Sequence, residues 1–166
     1  VHIEPFSMAE VETILKRVRE DYRNYYLVRF YTGMRTGEVD GLKWEHVDFE
    51  RREILVRETL IHGKTEYTKT DGSQREIPMF GPVHDALKEQ YEATGKLSKF
   101  VFCNRLGEPL DHNNVTKRVW YPLLEHLKLK KRRPYQTRHT AATLLLASGE
   151  NPEWVARTLG HSSTEM

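Results

Sequence analysis

Apolar residues near the start of the chain recur at helical spacing. In PFSMAEVETILKRV, Val11, Ile14, Leu15 and Val18 fall on one helix face. Ser7 stands at the N-cap position, Glu10 three residues later completes a capping box, and Phe6 with Val11 makes a hydrophobic staple. YYLVRFYTGMRTGEVDGLKW predicts an apolar helix ending near Gly33, a turn carrying Arg35, and a short helix from about Thr36 to Leu42. From Trp44 to Met79 the period shortens. EILVRETLI is rich in β-branched and apolar residues, TEYTKT alternates, and QREIPM follows an Asp71-Gly72 turn signal. A small antiparallel sheet is expected there, with Lys69 near the exposed tip of a hairpin.

Beyond Gly81 helical spacing returns in PVHDALKEQYEA. A short strand, KFVFC, follows, and then a helix over NNVTKRVWYPLLEHL with Val115, Val119, Leu123 and Leu127 four residues apart. TRHTAATLLLASG predicts a helix ending at Gly149. In NPEWVARTLG, Asn151 is the cap, Pro152 the first helical residue, Glu153 an acid in the first turn and Gly160 the stop. His161 is thereby delivered just past a helix terminus.

Composition narrows the class. A chain of 166 residues with 38% hydrophobic and 30% charged residues is expected to form one globular domain over 1–166. The longest apolar run, Ala141 to Ala147, is too short to span a bilayer, so no membrane role is expected. The single Cys103 excludes an internal disulfide, makes a structural zinc site improbable and fits a reducing, cytoplasmic setting. Lys plus Arg total 26 against 24 for Asp plus Glu, so the distribution of charge matters more than its sum. The run KLKKRRP carries Lys128, Lys130, Lys131, Arg132 and Arg133 with no acid. By itself it is equally a solvated helix end or a nucleic-acid contact.

Four side chains stand where the backbone is expected to be tight: Arg35, Lys69, Arg138 and His161. An arginine fork can grip two phosphate oxygens, and a helix N-terminus adds N–H donors aimed the same way. Taken alone, each arginine is more often a surface or ion-pairing residue, the lysine a solvated one and the histidine a partner of its helix's last carbonyls, and only the ordered combination points further. Glu38, three residues after Arg35, either braces that arginine or favours its helix N-terminus.

In order, these segments resemble the tyrosine recombinases, or phage integrases, and specifically their C-terminal catalytic domain. The resemblance rests on TGMRTGEVDGLKWEHVDF, TKTDGSQREIPM, YQTRHTAATLLLASG and VARTLGHSS, with PFSMAEVETIL and FVFCNRLGEPL alongside. It implies an α+β fold, mainly helical, with a small antiparallel three-stranded sheet. It also implies site-specific breakage and rejoining of DNA through a 3′-phosphotyrosine link, with neither metal nor ATP. Arg35 and Arg138 would bind the scissile phosphate, where preorganised cations can stabilise the charge of the transition state. Lys69 would protonate the departing 5′ oxygen, a general-acid role worth roughly 10²- to 10⁴-fold. His161 would donate to the phosphate or assist the nucleophile. Tyr135 occupies a position where the family most often has histidine, and a phenol is the poorer proton acceptor at neutral pH, so a phosphate-contacting or positioning role is expected of it. His139 fits the family's RHT wording and is expected to be structural.

Contacts to the DNA backbone are expected from Lys43, Lys64, Arg75, Lys117 and Arg118, and from Lys130, Lys131, Arg132 and Arg133. Family members act on double-stranded DNA, usually as tetramers and with accessory DNA-bending or directionality proteins, which places the activity at the nucleoid. The chain begins at Val1 and closes on TLGHSSTEM. The family's nucleophilic tyrosine lies about nine residues past this histidine. A domain cut before its nucleophile and lacking an N-terminal DNA-binding domain is therefore expected, able to hold a phosphate but not to cleave. The rival readings are a non-catalytic DNA-binding module with the same fold, a metal-dependent nuclease, and a type IB topoisomerase.

Overall fold

The computed structural model describes residues 2–68 and 72–161. Helix α1, Met8–Arg17, begins with the expected reciprocal cap: Glu10 N–H donates to Ser7 Oγ (3.1 Å) and Ser7 N–H to Glu10 Oε1 (2.9 Å). Val11, Ile14 and Leu15 are buried on its inner face. Helix α2, Glu20–Thr32, packs against α1, against α4 (Gly81–Thr94) and against α7 (Gln136–Ala147). A short helix α3, Thr36–Asp40, follows the turn at Gly33.

Trp120 is the hub of the core and is fully buried. Tyr26 of α2 stacks on it at 5.0 Å, Phe6 meets it edge-on at 5.7 Å, and its Nε1–H donates to Arg132 C=O (2.8 Å). Each such ring contributes about 1.5–3 kcal/mol by burial. The pairing adds about 0.5–1.5 kcal/mol. The N-terminal segment is tied to α7 by Phe6 N–H to Thr140 Oγ1 (2.9 Å) and Glu4 N–H to Gln136 Oε1 (2.9 Å).

The strand region differs in detail from expectation. EILVRETLI breaks at Arg57 into β2 (Glu53–Val56) and β3 (Glu58–Ile61). β2 is the centre of an antiparallel sheet in the order β1-β2-β5, with β1 Val47–Asp48 and β5 Arg75–Pro78. β3 turns away to pair with β4, Lys64–Tyr67, in a separate hairpin that lies on α3. Arg57 causes the split through its own bonds: its guanidinium donates to Arg75 C=O (3.0 Å) and its C=O accepts from Thr68 N–H (3.1 Å), so it serves both sheets.

The strand expected over KFVFC does not form. Only single bridges occur, Lys43 with Phe100 and Cys103 with Pro109. The carbonyl of Val101, which a strand partner would need, is taken by Thr94 Oγ1–H (2.7 Å) and Gln90 Nε2–H (3.1 Å).

The helix over NNVTKRVWYPLLEHL is interrupted by a wide turn. α5 (His112–Val115) runs through a π-helical stretch, Thr116–Trp120, into α6 (Tyr121–His126). Pro122 has no N–H for the carbonyl four residues back, and the ladder widens there. The extra residue shifts the buried face by one. Val115 and Val119 are buried as expected, but the next turns bury Trp120 and Leu124 rather than Leu123 and Leu127. None of the described helices is long and apolar enough to cross a membrane.

Candidate functional site

Helix α2 ends at Gly33, in the left-handed conformation (φ 67°). A Cβ there would lie 2.2 Å from Leu159 Cδ2 and 3.1 Å from Ala141 Cβ, so only glycine lets α7 and α8 (Pro152–Leu159) close on this turn. Two residues later Arg35 is the extended N-cap of α3, and its N–H donates to Glu38 Oε1 (2.9 Å). Glu38 thus does both things expected of it: it closes the helix start and takes the Arg35 guanidinium at 3.4 Å.

Arg138 sits in the first turn of α7, 2% exposed, and donates to Gly33 C=O (2.8 Å). Burial first, and the neighbouring Arg35 charge second, lower its pKa from the usual arginine value. Like charges are being held close together.

His161 follows Gly160, the left-handed stop of α8 (φ 72°), and its N–H closes the last turn on Ala156 C=O (2.9 Å). Arginines gather on the carbonyls of this helix end. Arg35 Nη2 donates to Gly160 C=O (3.0 Å) and Arg75 Nε to Thr158 C=O (2.6 Å), which suits the negative end of the helix dipole. A Cβ on Gly160 would lie 2.7 Å from Arg75 Nη1 and 3.1 Å from Arg35 Nη1. Glycine is needed there for space as well as for φ.

Arg75 corrects the sequence reading. Expected as a DNA contact, it is 7% exposed, with Nη1 and Nη2 each 2.9 Å from a different oxygen of Glu38. Burial opposes ionisation of Glu38, yet the Arg75 hydrogen bonds and charge outweigh it and lower the Glu38 pKa. Lys43 and Arg132 are also engaged within the chain: Lys43 pairs with Glu58 (2.8 Å), and Arg132 lies over the Phe6 ring (4.1 Å) and beside Glu10 (3.4 Å).

Tyr135, the residue before α7, is 39% exposed and makes an edge contact with the His139 ring at 5.2 Å. His139 is half-buried beside Gln136 Oε1 (2.9 Å), and burial, then the Arg138 charge, lower its pKa. Tyr135 lines an open cleft of about 520 Å³ together with Thr36, His112, Lys117 and Arg133. Lys64, Arg118, Lys130 and Lys131 are exposed, with Lys130 paired to Glu4 and Lys131 over the Tyr121 ring at 4.5 Å. Lys69 lies outside the described residues, as do 162–166.

Sequence reasoning missed a third buried arginine. Arg29 is 1% exposed, inside the apolar stretch of α2. Its signal was there: Tyr25, Arg29 and Thr32 share the inward face of a helix whose other inward residues are apolar. Arg29 Nη1 donates to Tyr25 Oη (3.1 Å), whose O–H donates to Asp40 Oδ1 (2.6 Å). Desolvation pushes Asp40 up to about 6 against the pull of that bond and of Arg29.

The comparisons place the chain in a family and a fold. The model of the phage integrase family matches residues 6–166. Prophage integrase IntR of Escherichia coli (strain K12) is 30% identical over 98% of this chain and 46% of its own length. A tyrosine recombinase XerC-like protein of Caldanaerobacter subterraneus subsp. tengcongensis is 30% identical over 97% and 48%. The Tn1549 transposon integrase, solved in complex with circular intermediate DNA, superposes with a TM-score of 0.85 at 25% identity, over 98% of this chain and 60% of that one. The chain spans about half the length of the curated relatives it matches. With its mainly helical α+β fold, its small antiparallel sheet and a family match over nearly its whole length, the chain belongs to the phage integrase family, the tyrosine recombinases.

Proposed function

We propose that this chain is the catalytic domain of a site-specific DNA recombinase and that the junction of α3, α7 and α8 holds the scissile phosphate. One observation carries the reading. Arg35 and Arg75 share the single carboxylate of Glu38, while Arg138 is buried close by, where the Arg35 charge adds to the cost of keeping Arg138 charged. A fold bears that cost most readily where an anion is to be bound.

In the proposed step a tyrosine hydroxyl attacks the phosphorus, the P–O(Tyr) bond forms and the bond to the 5′ oxygen breaks. Arg35 and Arg138 stabilise the charge on the nonbridging oxygens, as preorganised donors do. Lys69 protonates the departing 5′ oxygen, and His161 donates to the phosphate or takes the phenol's proton. Tyr135 positions the substrate from the cleft. Lys117 and Arg133 on the cleft wall, with Lys64, Arg118, Lys130 and Lys131, contact the backbone of double-stranded DNA. The parent protein works at the nucleoid as a homotetramer, with accessory proteins bending the DNA or setting direction.

Titration of a short fluorescein-labelled nicked duplex tests the phosphate site. Replacing Arg35 and Arg138 by alanine is expected to weaken binding about tenfold or more. It should also lower the slope of log affinity against log salt by about one unit per arginine. Unchanged affinity and slope would remove the phosphate site from consideration.

A further inference from the structure

We infer that Arg29 is a positioning residue of the phosphate site, one buried fork that holds the residues next to three of its side chains at once. The inference rests on the phosphate reading given above. Arg29 Nη2 donates to Thr36 Oγ1 (2.8 Å) and to Pro134 C=O (3.1 Å), and Nε donates to Thr137 Oγ1 (3.2 Å). Thr36 directly follows Arg35, Pro134 directly precedes Tyr135, and Thr137 directly precedes Arg138. The two site segments are about a hundred residues apart in the chain, and this side chain fastens them to each other alongside the Arg138 bond to Gly33 C=O.

A merely structural need would be met differently. Burying a guanidinium costs several kcal/mol, and well-packed apolar residues commonly do as well for stability. An apolar side chain gives no directional hold on three acceptors. The planar fork does, because its donors point in fixed directions and leave little freedom once they are bonded. Thr137 Oγ1 also donates to Pro134 C=O (2.8 Å), so the turn leading into α7 is closed on itself as well as on Arg29. Tyr25 holds the remaining side of the fork, with Asp40 behind it as counter-charge. A lysine in this place would keep the charge but could not reach Thr36, Pro134 and Thr137 together.

The test compares Arg29→Lys with the wild type, each alone and combined with Arg35→Ala plus Arg138→Ala, using the nicked duplex and the Nε–Hε NMR signals of Arg35 and Arg138 without DNA. Arg29→Lys is expected to weaken binding about tenfold in the wild-type background and not at all when both arginines are gone. The Nε–Hε signals should shift or broaden in the free protein. An equal loss in both backgrounds, or unchanged binding with unmoved signals, overturns the inference. If the Arg35 and Arg138 double variant binds as the wild type does, the phosphate reading falls, and the Nε–Hε signals alone decide whether Arg29 positions those side chains. Should Arg29→Lys fail to fold, Thr137→Val removes one acceptor, together with the Thr137 bond to Pro134 C=O, and keeps the Arg29 bonds to Thr36, Pro134 and Tyr25. It is then expected to give a non-additive loss of about threefold, and an additive one counts against positioning.

Discussion

Helix α3 carries two carboxylates that are equally buried and behave oppositely. Glu38 and Asp40 are each 2% exposed. Glu38 takes the Arg75 fork on both oxygens, and its pKa is lowered; Asp40 takes a single tyrosine hydroxyl, with Arg29 one step further back, and its pKa rises to about 6. Direct bidentate pairing overcomes desolvation, whereas a charge relayed through a neutral hydroxyl does not. The two ends of α3 thus differ in kind. The Glu38 side locks the terminus of α8, and with it His161, by charge. The Asp40 side locks the start of α7 by directed bonds to neutral acceptors, with the counter-charge held at a distance.

The strongest way to break this contrast is Glu38→Ala. It strands the Arg75 guanidinium, 7% exposed, with only the carbonyls of Ser73 and Thr158 as neutral company. Removing one partner of a buried ion pair costs about 3–5 kcal/mol. Urea unfolding should show that loss, and hydrogen exchange should show the last turn of α8 opening before α7 does. A loss below about 1 kcal/mol would mean that water reaches Arg75 and the pair is not buried in effect.

Which parts of this arrangement could be read from the chain follows from how local their causes are. The Ser7–Glu10 box and the stops at Gly33 and Gly160 need only near neighbours, and all are where the sequence puts them. The placing of Arg35, Arg138 and His161 at helix ends was legible for the same reason. The break at Arg57, the missing strand at 99–103 and the buried state of Arg75 depend on partners far away in the chain: Arg75 C=O, the side chains of α4, and Glu38. Pattern alone does not reveal that a lone arginine in a strand faces a carboxylate on another element. The π-helical turn is intermediate, since Pro122 announces a disturbed ladder without saying that one residue will be inserted rather than the helix ended.

A smaller effect separates the two carboxylates by pH. Asp40 has a folded pKa of about 6 against a reference of 3.8, so between these values the folded state binds a proton that the unfolded state has released. Its contribution to stability is full below pH 4 and is lost as pH rises through about 6. Glu38, with a lowered pKa, acts the other way: its contribution is present above its unfolded value and is lost as pH falls through the folded one. Asp40→Asn should therefore gain on the wild type by roughly 2–3 kcal/mol as pH is raised from 4 to 7. Thermal unfolding across that range checks it, and a difference that stays flat or shrinks would show that Asp40 is ionised throughout.

Tyr25→Phe tests the relay itself at the smallest cost. The substitution keeps the ring, and so the edge contacts with Tyr26 (5.0 Å) and Phe102 (5.3 Å), and removes only the hydroxyl that lies between Arg29 and Asp40. Arg29 loses one of its bonds and Asp40 its donor, a loss of about 1–2 kcal/mol. Because the Tyr25 bond is one of the influences that lower the Asp40 pKa, its removal should move the Asp40 transition to higher pH. The cost of Tyr25→Phe is then smaller at pH 5, where Asp40 can stay neutral, than at pH 8, where it must be charged without its donor. Urea midpoints at the two pH values measure this directly. A cost that is the same at both would mean that the hydroxyl serves Arg29 alone, and Asp40 would no longer count as the counter-charge behind the fork.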